Sequence, residues 1–269
     1  MRILFVADVV GSAGREACAR LLPALRRRVG ADFCIVNAEN AASGAGVTRK
    51  ILNELLGAGA DAFTGGNHIW DRKEVFDFID DEPRLLRALN YPPGTAGRGY
   101  GTFRAANGTS VSVLSLMGRV FMPPLDDPFR AANDALSRLR SEGAGPVVFV
   151  DFHAEATSEK IAMGWFLDGR VTAVIGTHTH VPTADAHILP AGTAYMTDAG
   201  MTGPYDSVIG VEKDLAIRRM RSHLPVRFQP AEKDRRLAAV LVEADDRSGR
   251  ALSIERIEER LPDGPPGAQ

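Results

Sequence analysis

The stretch Val174-Ile175-Gly176-Thr177-His178-Thr179-His180 places two histidines directly after an apolar run. The run, residues 171–175, has the length and composition of a buried strand. In extended backbone, side chains at positions i and i+2 point to the same side, with Cα atoms roughly 6.5–7 Å apart. That spacing favours two metal ions held side by side, roughly 3.5–4 Å apart, with one imidazole on each. Two surface histidines in a loop explain the pair equally well, so the rest of the chain decides.

Length and composition are those of a globular protein with a full hydrophobic core. The chain has 269 residues, of which 45% are hydrophobic and 25% are charged. The net charge of −2 carries no electrostatic signature for DNA or anionic lipid, so we expect no stable DNA partner. No apolar run approaches the roughly 20 residues of a membrane span, so we expect no membrane association.

Two further features favour a cytoplasmic protein. Asp8 interrupts the N-terminal apolar run before it reaches the length of a signal peptide. Cys18 and Cys34 are too few for a disulfide framework, and we predict that both are reduced residues of the core.

Strand and helix patterns alternate in the first half of the chain, at residues 3–7, 13–29, 33–37, 48–56, 61–64 and 75–79. Thr48 is a suitable cap for the second helix, and Asp71 with Glu74 predicts a capping box for the third. Strands that alternate with helices indicate βαβ units and a mainly parallel sheet.

The second half adds two hairpins to this pattern. Residues 100–105 and 110–116 flank Asn107-Gly108, a strong turn signal, and residues 237–243 and 251–257 form a second pair. Further strands are predicted at residues 146–150, 171–175 and 193–197, and loops at 117–129 and 200–210. Helices are predicted from the end of the first loop to about residue 139, at 158–167 and near 211–223. We predict an α/β fold with two packed sheets, in one domain over residues 1–260 with a flexible tail at 261–269.

Five consecutive predicted strands end in a carboxylate, an amide or an imidazole. The residues that follow them are Asp8, Glu39-Asn40, Asn67-His68, Asp151-Phe152-His153 and His178-Thr179-His180. In open α/β sheets, ligands bind outside the carboxyl ends of the strands. Each residue has an ordinary alternative, as a helix cap, a turn residue or a buried core histidine. Without a metal, all five strand ends would have to carry such residues for separate, ordinary reasons. A shared metal site is the simpler explanation, so the pattern favours it.

These residues resemble the motif series of calcineurin-like metallophosphoesterases. The matching motifs are Asp8, Glu39-Asn40, Gly66-Asn67-His68, His153 and Gly176-Thr177-His178-Thr179-His180. Residues 2–11, 90–94, 117–122, 151–160 and 201–210 are similar to the YmdB-like bacterial branch, and the similarity spans nearly the whole chain. The resemblance implies an αββα sandwich, in which two mixed β-sheets pack together and are flanked by helices.

Two positions depart from the broad superfamily pattern. Val10 stands where the first motif usually has a histidine, and Glu39 stands where a bridging aspartate is usual. The YmdB-like branch shares both departures, so we expect Asn40 to take the coordination place of the missing histidine.

The resemblance implies two metal ions with Glu39 as the bridging ligand. The first ion would take Asp8, Glu39, Asn40 and His180, and the second would take Glu39, Asn67, His153 and His178. Nitrogen and oxygen ligands without a thiolate suit iron, manganese or zinc, whereas three histidines argue against magnesium and calcium. For the YmdB-like branch the resemblance implies iron.

The activity implied is hydrolysis of 2′,3′-cyclic nucleotides, with other cyclic mononucleotides or phosphodiesters as further substrates. A hydroxide that bridges the metals would attack phosphorus in line, and His68 would donate a proton to the leaving oxygen. His68 could instead only orient the phosphate. The alternatives are a phosphomonoesterase or protein phosphatase on the same site, and a regulatory scaffold, which predicts eroded ligands.

Other residues leave more than one interpretation open. Asp151 and Asp198 could orient metal-bound histidines or act as turn residues. Arg119, Phe121 and Met122 could contact a base or a phosphate, or pack at a subunit interface. The loop at residues 200–210 could form one wall of the site. We expect a homo-oligomer.

Overall fold

The predicted apolar runs form strands of two β-sheets, with helices between them along the chain. The computed structural model describes residues 1–262. In chain order the elements are β1 (Arg2–Val6), β2 (Asp8–Val9), α1 (Gly11–Val29), β3 (Phe33–Asn37), α2 (Arg49–Gly57), β4 (Ala62–Thr64), a 3₁₀ turn (Lys73–Asp77), β5 (Leu85–Leu86), β6 (Tyr100–Arg104), β7 (Ser110–Met117), α3 (Pro128–Ser141), β8 (Val147–His153), α4 (Thr157–Leu167), β9 (Ala173–Thr177), β10 (His187–Ile188), β11 (Ala194–Met196), β12 (Met201–Pro204), α5 (Lys213–Ser222), β13 (Arg235–Ala244) and β14 (Ala251–Arg260).

The first sheet has eight strands in the order β2-β12-β13-β1-β3-β4-β5, with β14 paired to β13. Strands β1, β3, β4 and β5 run parallel, as the βαβ pattern predicts, whereas β13 is antiparallel to both β1 and β14. The second sheet has six strands in the order β10-β11-β9-β8-β7-β6, parallel except for the edge strands β6 and β10. Both predicted hairpins are confirmed, and both sheets are mixed.

Buried apolar side chains form three layers. The inner layer lies between the sheets, where the rings of Phe5 and Phe149 approach to 5.1 Å between centroids. One outer layer packs α1 and α2 on the first sheet, through residues such as Leu22 and Leu52. The other packs α3 and α4 on the second sheet, through residues such as Leu136 and Met163. The αββα sandwich is therefore confirmed.

Two local predictions were wrong. The capping box of Asp71 and Glu74 does not form: Arg72 is the N-cap without a side-chain bond, and Glu74 accepts the backbone N–H of Arg49 at 3.1 Å. Part of the loop predicted at residues 200–210 is strand β12, which pairs with β2 and β13. The glycines of this segment favoured a loop in the sequence. Gly203 instead serves close packing within the strand, because a Cβ there would lie 3.1 Å from Cβ of Val10.

Leu261, the first residue of the predicted tail, packs against the fold. Leu261 is only 1% exposed, and its N–H donates to the carbonyl of Arg235 at 2.8 Å. Residues 263–269 lie outside the described residues, and the single domain over residues 1–260 stays a prediction. Across the described residues 1–262, no helix combines the length and apolarity that crossing a membrane requires.

Candidate metal centre

The predicted ligands lie at strand ends of both sheets, and six of the seven contact one another there. The first sheet contributes residues that open β2 or follow β3 and β4, namely Asp8, Glu39, Asn40 and Asn67. The second sheet contributes residues that end β8 or follow β9, namely His153, His178 and His180. This is the arrangement expected from the carboxyl ends of parallel strands.

Glu39 lies between the two groups and is only 1% exposed. Its Oε2 accepts backbone N–H groups of Gly66 at 2.6 Å and of His68 at 3.1 Å. Its Oε1 lies 2.9 Å from Nε2 of His153 without hydrogen-bond geometry. One carboxylate oxygen is thus held by backbone, and the other faces the histidines.

Besides Glu39, two further potential ligands lie close to Nε2 of His153. Oδ1 of Asn67 lies 3.0 Å from this nitrogen, and Nδ1 of His178 lies 3.0 Å from it on another side. Ligand atoms of Glu39, His153 and His178 all lie within 4.8 Å of one another. These three residues form a possible metal site.

Asp8 and His180 form the neighbouring part of the cluster. The buried Oδ2 of Asp8 accepts the backbone N–H of His178 at 3.0 Å and lies 3.4 Å from Nε2 of His180. Nδ1 of His180 donates to the carbonyl of Ile209 at 2.9 Å, so the loop after β12 contacts the site. Metal-bound histidines commonly donate their second N–H in this way.

The backbone around the two histidines departs from the extended form that the sequence analysis assumed. His178 has φ of 99° and His180 has φ of 64°, both in the left-handed region that is unfavourable for these residues. The two side chains therefore do not have the relation expected from i and i+2 positions of an extended strand. The histidines meet different partners because the chain turns between them.

Three buried oxygens of the site suit cations. Within the described residues, Oδ1 of Asp8, Oε1 of Glu39 and Oδ1 of Asn40 accept no hydrogen bond. The amide nitrogen of Asn40 donates to the carbonyl of Gly44 at 3.1 Å, which fixes the direction of its oxygen. Buried acceptors without partners are costly, and metal ions would satisfy them. The donor set fits a metal-binding role.

Asp151 holds His153 through an intermediate hydroxyl. Thr177 Oγ1 donates to Oδ1 of Asp151 at 2.7 Å and lies 2.9 Å from Nδ1 of His153. Because the single hydroxyl proton goes to Asp151, Nδ1 of His153 must be the donor to Thr177. When the ring is neutral, this tautomer directs the lone pair of Nε2 at the cluster. The other carboxylate oxygen accepts from Asn37 and Thr64.

Asp198 acts on the loop instead of on a histidine ring. Its Oδ2 accepts from Nζ of Lys160 at 2.7 Å and from the hydroxyl of Thr179 at 2.7 Å.

Sequence reasoning missed Lys160, which is fully buried, and Glu155, whose Oε2 lies 3.1 Å from Nε2 of His178. Both belong to the segment 151–160 that carries the family resemblance, which was the available signal.

Burial and neighbouring charges shift the pKa values of several groups in the cluster. Burial opposes the charged form of His153, but the adjacent Glu39 carboxylate outweighs burial and raises the pKa of His153 to about 9. Burial also opposes the charge on Glu39, yet His153 holds its pKa at about 2. Burial raises the pKa of Asp8 well above its ordinary value, and burial with the His153 charge lowers the pKa of His178 to about 3. A bound cation would replace the proton on His153.

His68 lies at the rim of the cluster. Its backbone N–H donates to Glu39, whereas its side chain is 40% exposed, and Nδ1 lies 2.8 Å from Oδ2 of Asp71. The carboxylate fixes the orientation of the ring and leaves Nε2 as the nitrogen that can face a substrate. The sequence predicts Asp71 as a helix cap, whereas its carboxylate contacts the ring of His68.

An αββα sandwich with carboxylates, amides and histidines at its strand ends defines a calcineurin-like metallophosphoesterase. The model of the family described as YmdB-like protein matches residues 4–257. The chain belongs to the YmdB-like family, and the prediction from its motifs is confirmed.

Comparisons with individual proteins agree with this assignment. The chain is 52% identical over 257 residues, 96% of each chain, to the 2′,3′-cyclic-nucleotide 2′-phosphodiesterase of Bacillus subtilis (strain 168). A hypothetical protein from Thermus thermophilus is 44% identical, with a TM-score of 0.91 over 97% of this chain and 100% of that chain. A novel phosphatase from Mycoplasma pneumoniae is 33% identical, with a TM-score of 0.90 over 97% of this chain and 93% of that chain.

Proposed function

We propose that this chain is a dinuclear-metal phosphodiesterase that hydrolyses 2′,3′-cyclic nucleotides. The observation that carries the proposal is a set of three buried oxygens without hydrogen bonds in the described part of the chain, on Asp8, Glu39 and Asn40, of which Glu39 also belongs to the histidine cluster. The activity named for the Bacillus subtilis relative, at 52% identity, supports the substrate class. The enzyme class predicted from the sequence, a phosphoric diester hydrolase, is confirmed by this relative.

We assign the ligands as the family resemblance implies. The first ion is held by Asp8, Glu39, Asn40 and His180, and the second by Glu39, Asn67, His153 and His178. The 3.4 Å approach of Asp8 to His180 supports the first set, and the contacts of Nε2 of His153 support the second. We propose iron as the metal, with manganese and zinc as alternatives that suit the same ligands.

Two such ions, when bound, activate a water molecule for in-line attack on phosphorus and neutralise the charge that develops. The residues of the chain supply the remaining functions. His68 donates a proton to the leaving oxygen of the ribose through Nε2, while Asp71 holds the ring at Nδ1. His153 keeps its ligand nitrogen directed at the cluster because Thr177 and Asp151 fix its tautomer.

A phosphomonoesterase is the second candidate function, because the structural relative from Mycoplasma pneumoniae is described as a phosphatase. Both reactions use the same in-line attack, so the metal ligands do not separate them. A purely regulatory scaffold is disfavoured, because each of the seven ligand positions implied by the resemblance holds a residue able to bind a metal.

One assay separates these functions. Protein of measured metal content is offered 2′,3′-cyclic AMP, 3′,5′-cyclic AMP, a synthetic diester and a monoester in parallel, with chelator-treated protein as the control. We expect the fastest hydrolysis for 2′,3′-cyclic AMP and loss of activity after chelation. Hydrolysis of the monoester alone would contradict the diesterase proposal, and metal-loaded protein inactive on all four would favour the scaffold. Cytoplasmic location and homo-oligomerisation stay predictions.

A further inference from the structure

The loop between β7 and α3 is clamped at both ends by one buried amide. Asn90, only 1% exposed, accepts the N–H of Met117 at 2.9 Å and donates to its carbonyl at 2.8 Å. The same amide nitrogen donates to the carbonyl of Asp126 at 2.9 Å. Residues 118–125 therefore form a closed loop with fixed ends, and compact loops of this kind are frequently functional.

This loop starts at the candidate metal centre. Met117 is the strand partner of His153, and the N–H of Gly118 donates to the carbonyl of His153 at 3.0 Å. The carboxylate of Glu159, which is 8% exposed, accepts the N–H of Arg119 at 2.9 Å and that of Val120 at 3.1 Å. Three successive amides thus fix the path of the loop.

Phe121 follows directly and combines two unfavourable features. Its side chain is 88% exposed, and its backbone has φ of 60°, in the left-handed region where a bulky residue is rare. Strain of this kind persists only where the surrounding structure imposes it, and it is concentrated at functional sites. Phe121 lies three residues beyond Gly118, so at most about 10–11 Å of chain separates it from the strand end that carries His153.

We infer that Phe121 is the platform on which the base of the nucleotide substrate stacks. The inference rests on the proposed function and deepens it, because it names the residue that distinguishes a nucleotide from other phosphodiesters. An exposed aromatic ring offers a flat apolar face to any base, so it favours nucleotides without strong selection among bases. In this proposal the metal centre recognises the phosphate, and the ring adds recognition of the remainder of the substrate.

The test replaces Phe121 by a residue that keeps the loop. Asparagine tolerates the left-handed conformation, so Phe121→Asn removes the ring with little change to the backbone. Phe121→Trp retains an aromatic face and serves as the rescue variant. Leu252→Asn is the matched control, because it removes another exposed apolar side chain, 60% exposed, from β14 outside the site.

Two substrates with the same cyclic phosphate are compared by ³¹P NMR. One is 2′,3′-cyclic AMP, and the other is the base-free methyl riboside 2,3-cyclic phosphate. We expect Phe121→Asn to raise KM for the nucleotide at least about fivefold, the lower end of base–aromatic stacking, with KM for the base-free substrate unchanged. Phe121→Trp and Leu252→Asn should keep the parental ratio of the two KM values. An equal change for both substrates, or none, overturns the inference.

Binding of adenosine 3′-monophosphate, measured by calorimetry, tests the stacking without turnover. We expect Phe121→Asn to weaken this binding by a similar factor. Equal binding by the parent and Phe121→Asn overturns the inference, whether or not the protein hydrolyses cyclic nucleotides. Failure of the parent protein to hydrolyse any diester contradicts only the proposed function. The remaining alternative is that Phe121 packs at a subunit interface, which light scattering tests. If Phe121→Asn loses an oligomer of the parent and keeps the parental ratio of KM values, Phe121 belongs to that interface and the inference is overturned.

Discussion

Nζ of Lys160 lies 2.7 Å from Oδ2 of Asp198, and both side chains are only 1% exposed. The pair joins α4 to the loop that carries the histidine ligands, because Asp198 also accepts the N–H of Thr179 at 3.1 Å. A buried ion pair adds little net stability compared with apolar residues, but loss of one partner leaves a buried charge unpaired. The pair therefore fixes the position of Thr179, between His178 and His180.

We expect Lys160→Met to lower the free energy of unfolding by about 3–5 kcal/mol, because the charge of Asp198 would remain buried without its partner. Urea denaturation measures this loss, and the double variant with Asp198→Asn should recover part of it. The exposed pair of Lys213 and Asp206 is the control, since Lys213→Met should cost less than about 1 kcal/mol. Equal effects in the two single variants would contradict the structural role of the buried pair.

Glu39 is assigned to both metal ions, so its replacement should affect both. We expect Glu39→Gln to bind less than half of the parental metal, as measured by atomic emission, and to lose activity in proportion. Glu54→Gln is a matched control, because Glu54 is half-exposed and pairs with Arg15 at the surface. A Glu39→Gln protein with full metal content and full rate would show that the bridging assignment is wrong.

His68 should affect the rate without affecting metal content. Because general acid catalysis contributes about 10²–10⁴-fold, we expect His68→Asn to slow hydrolysis of 2′,3′-cyclic AMP by a factor in this range. A diester that releases p-nitrophenolate needs no proton donor, so its hydrolysis should change much less. Asp71→Asn should have a smaller effect in the same direction, because Asp71 only holds the ring. Loss of metal, or an equal loss on both substrates, would contradict the donor role.

Apolar periodicity was sufficient to predict most of the architecture. The runs around Ile35 and Val174 are buried strands as predicted, because local hydrophobic patterning and burial agree there. Patterning failed at residues 201–204, where Gly203 belongs to a strand held by contacts with β2 and β13. It also failed at Asp71, whose carboxylate meets His68 and not a helix terminus. In both cases the deciding contacts come from the tertiary arrangement.

Candidate ligands could be proposed from the sequence because carboxylates, amides and histidines at strand ends suit metal binding, and the family resemblance supplied their division into two sets. Their geometry could not be predicted, since His178 and His180 have positive φ angles and both contact Asp8, which is distant in the sequence. The sequence left Asp151 as either a support for a histidine or a turn residue. The structure decides for the support of His153, because it shows the hydroxyl of Thr177 between the two side chains.

The two thiols should be inert in the folded protein. Burial raises the pKa of Cys18 to about 12 and that of Cys34 further above its ordinary value. We expect a disulfide reagent at pH 8 to react with neither thiol until the chain is unfolded, when two thiols react.

The same thiols should make stability depend on pH, because an unfolded thiol loses its proton near pH 9 and the buried one does not. Stability should therefore be unaffected by these groups below about pH 9 and should fall as the pH rises towards about 12.

Gly66 leaves the space that the His153 ring occupies. A Cβ at Gly66 would lie 2.1 Å from Cδ2 of His153, a distance that requires the imidazole or the backbone to move. We expect Gly66→Ala to displace the ring, to reduce metal content and to lower the free energy of unfolding by about 1–3 kcal/mol. Gly57→Ala is the control, because a Cβ at that position meets no atom within 4 Å. Since Glu39 also accepts the N–H of Gly66, the same backbone shift would disturb the bridging carboxylate. A Gly66→Ala protein with parental metal content and stability would mean that the centre tolerates a displaced His153, contrary to its assignment as a ligand.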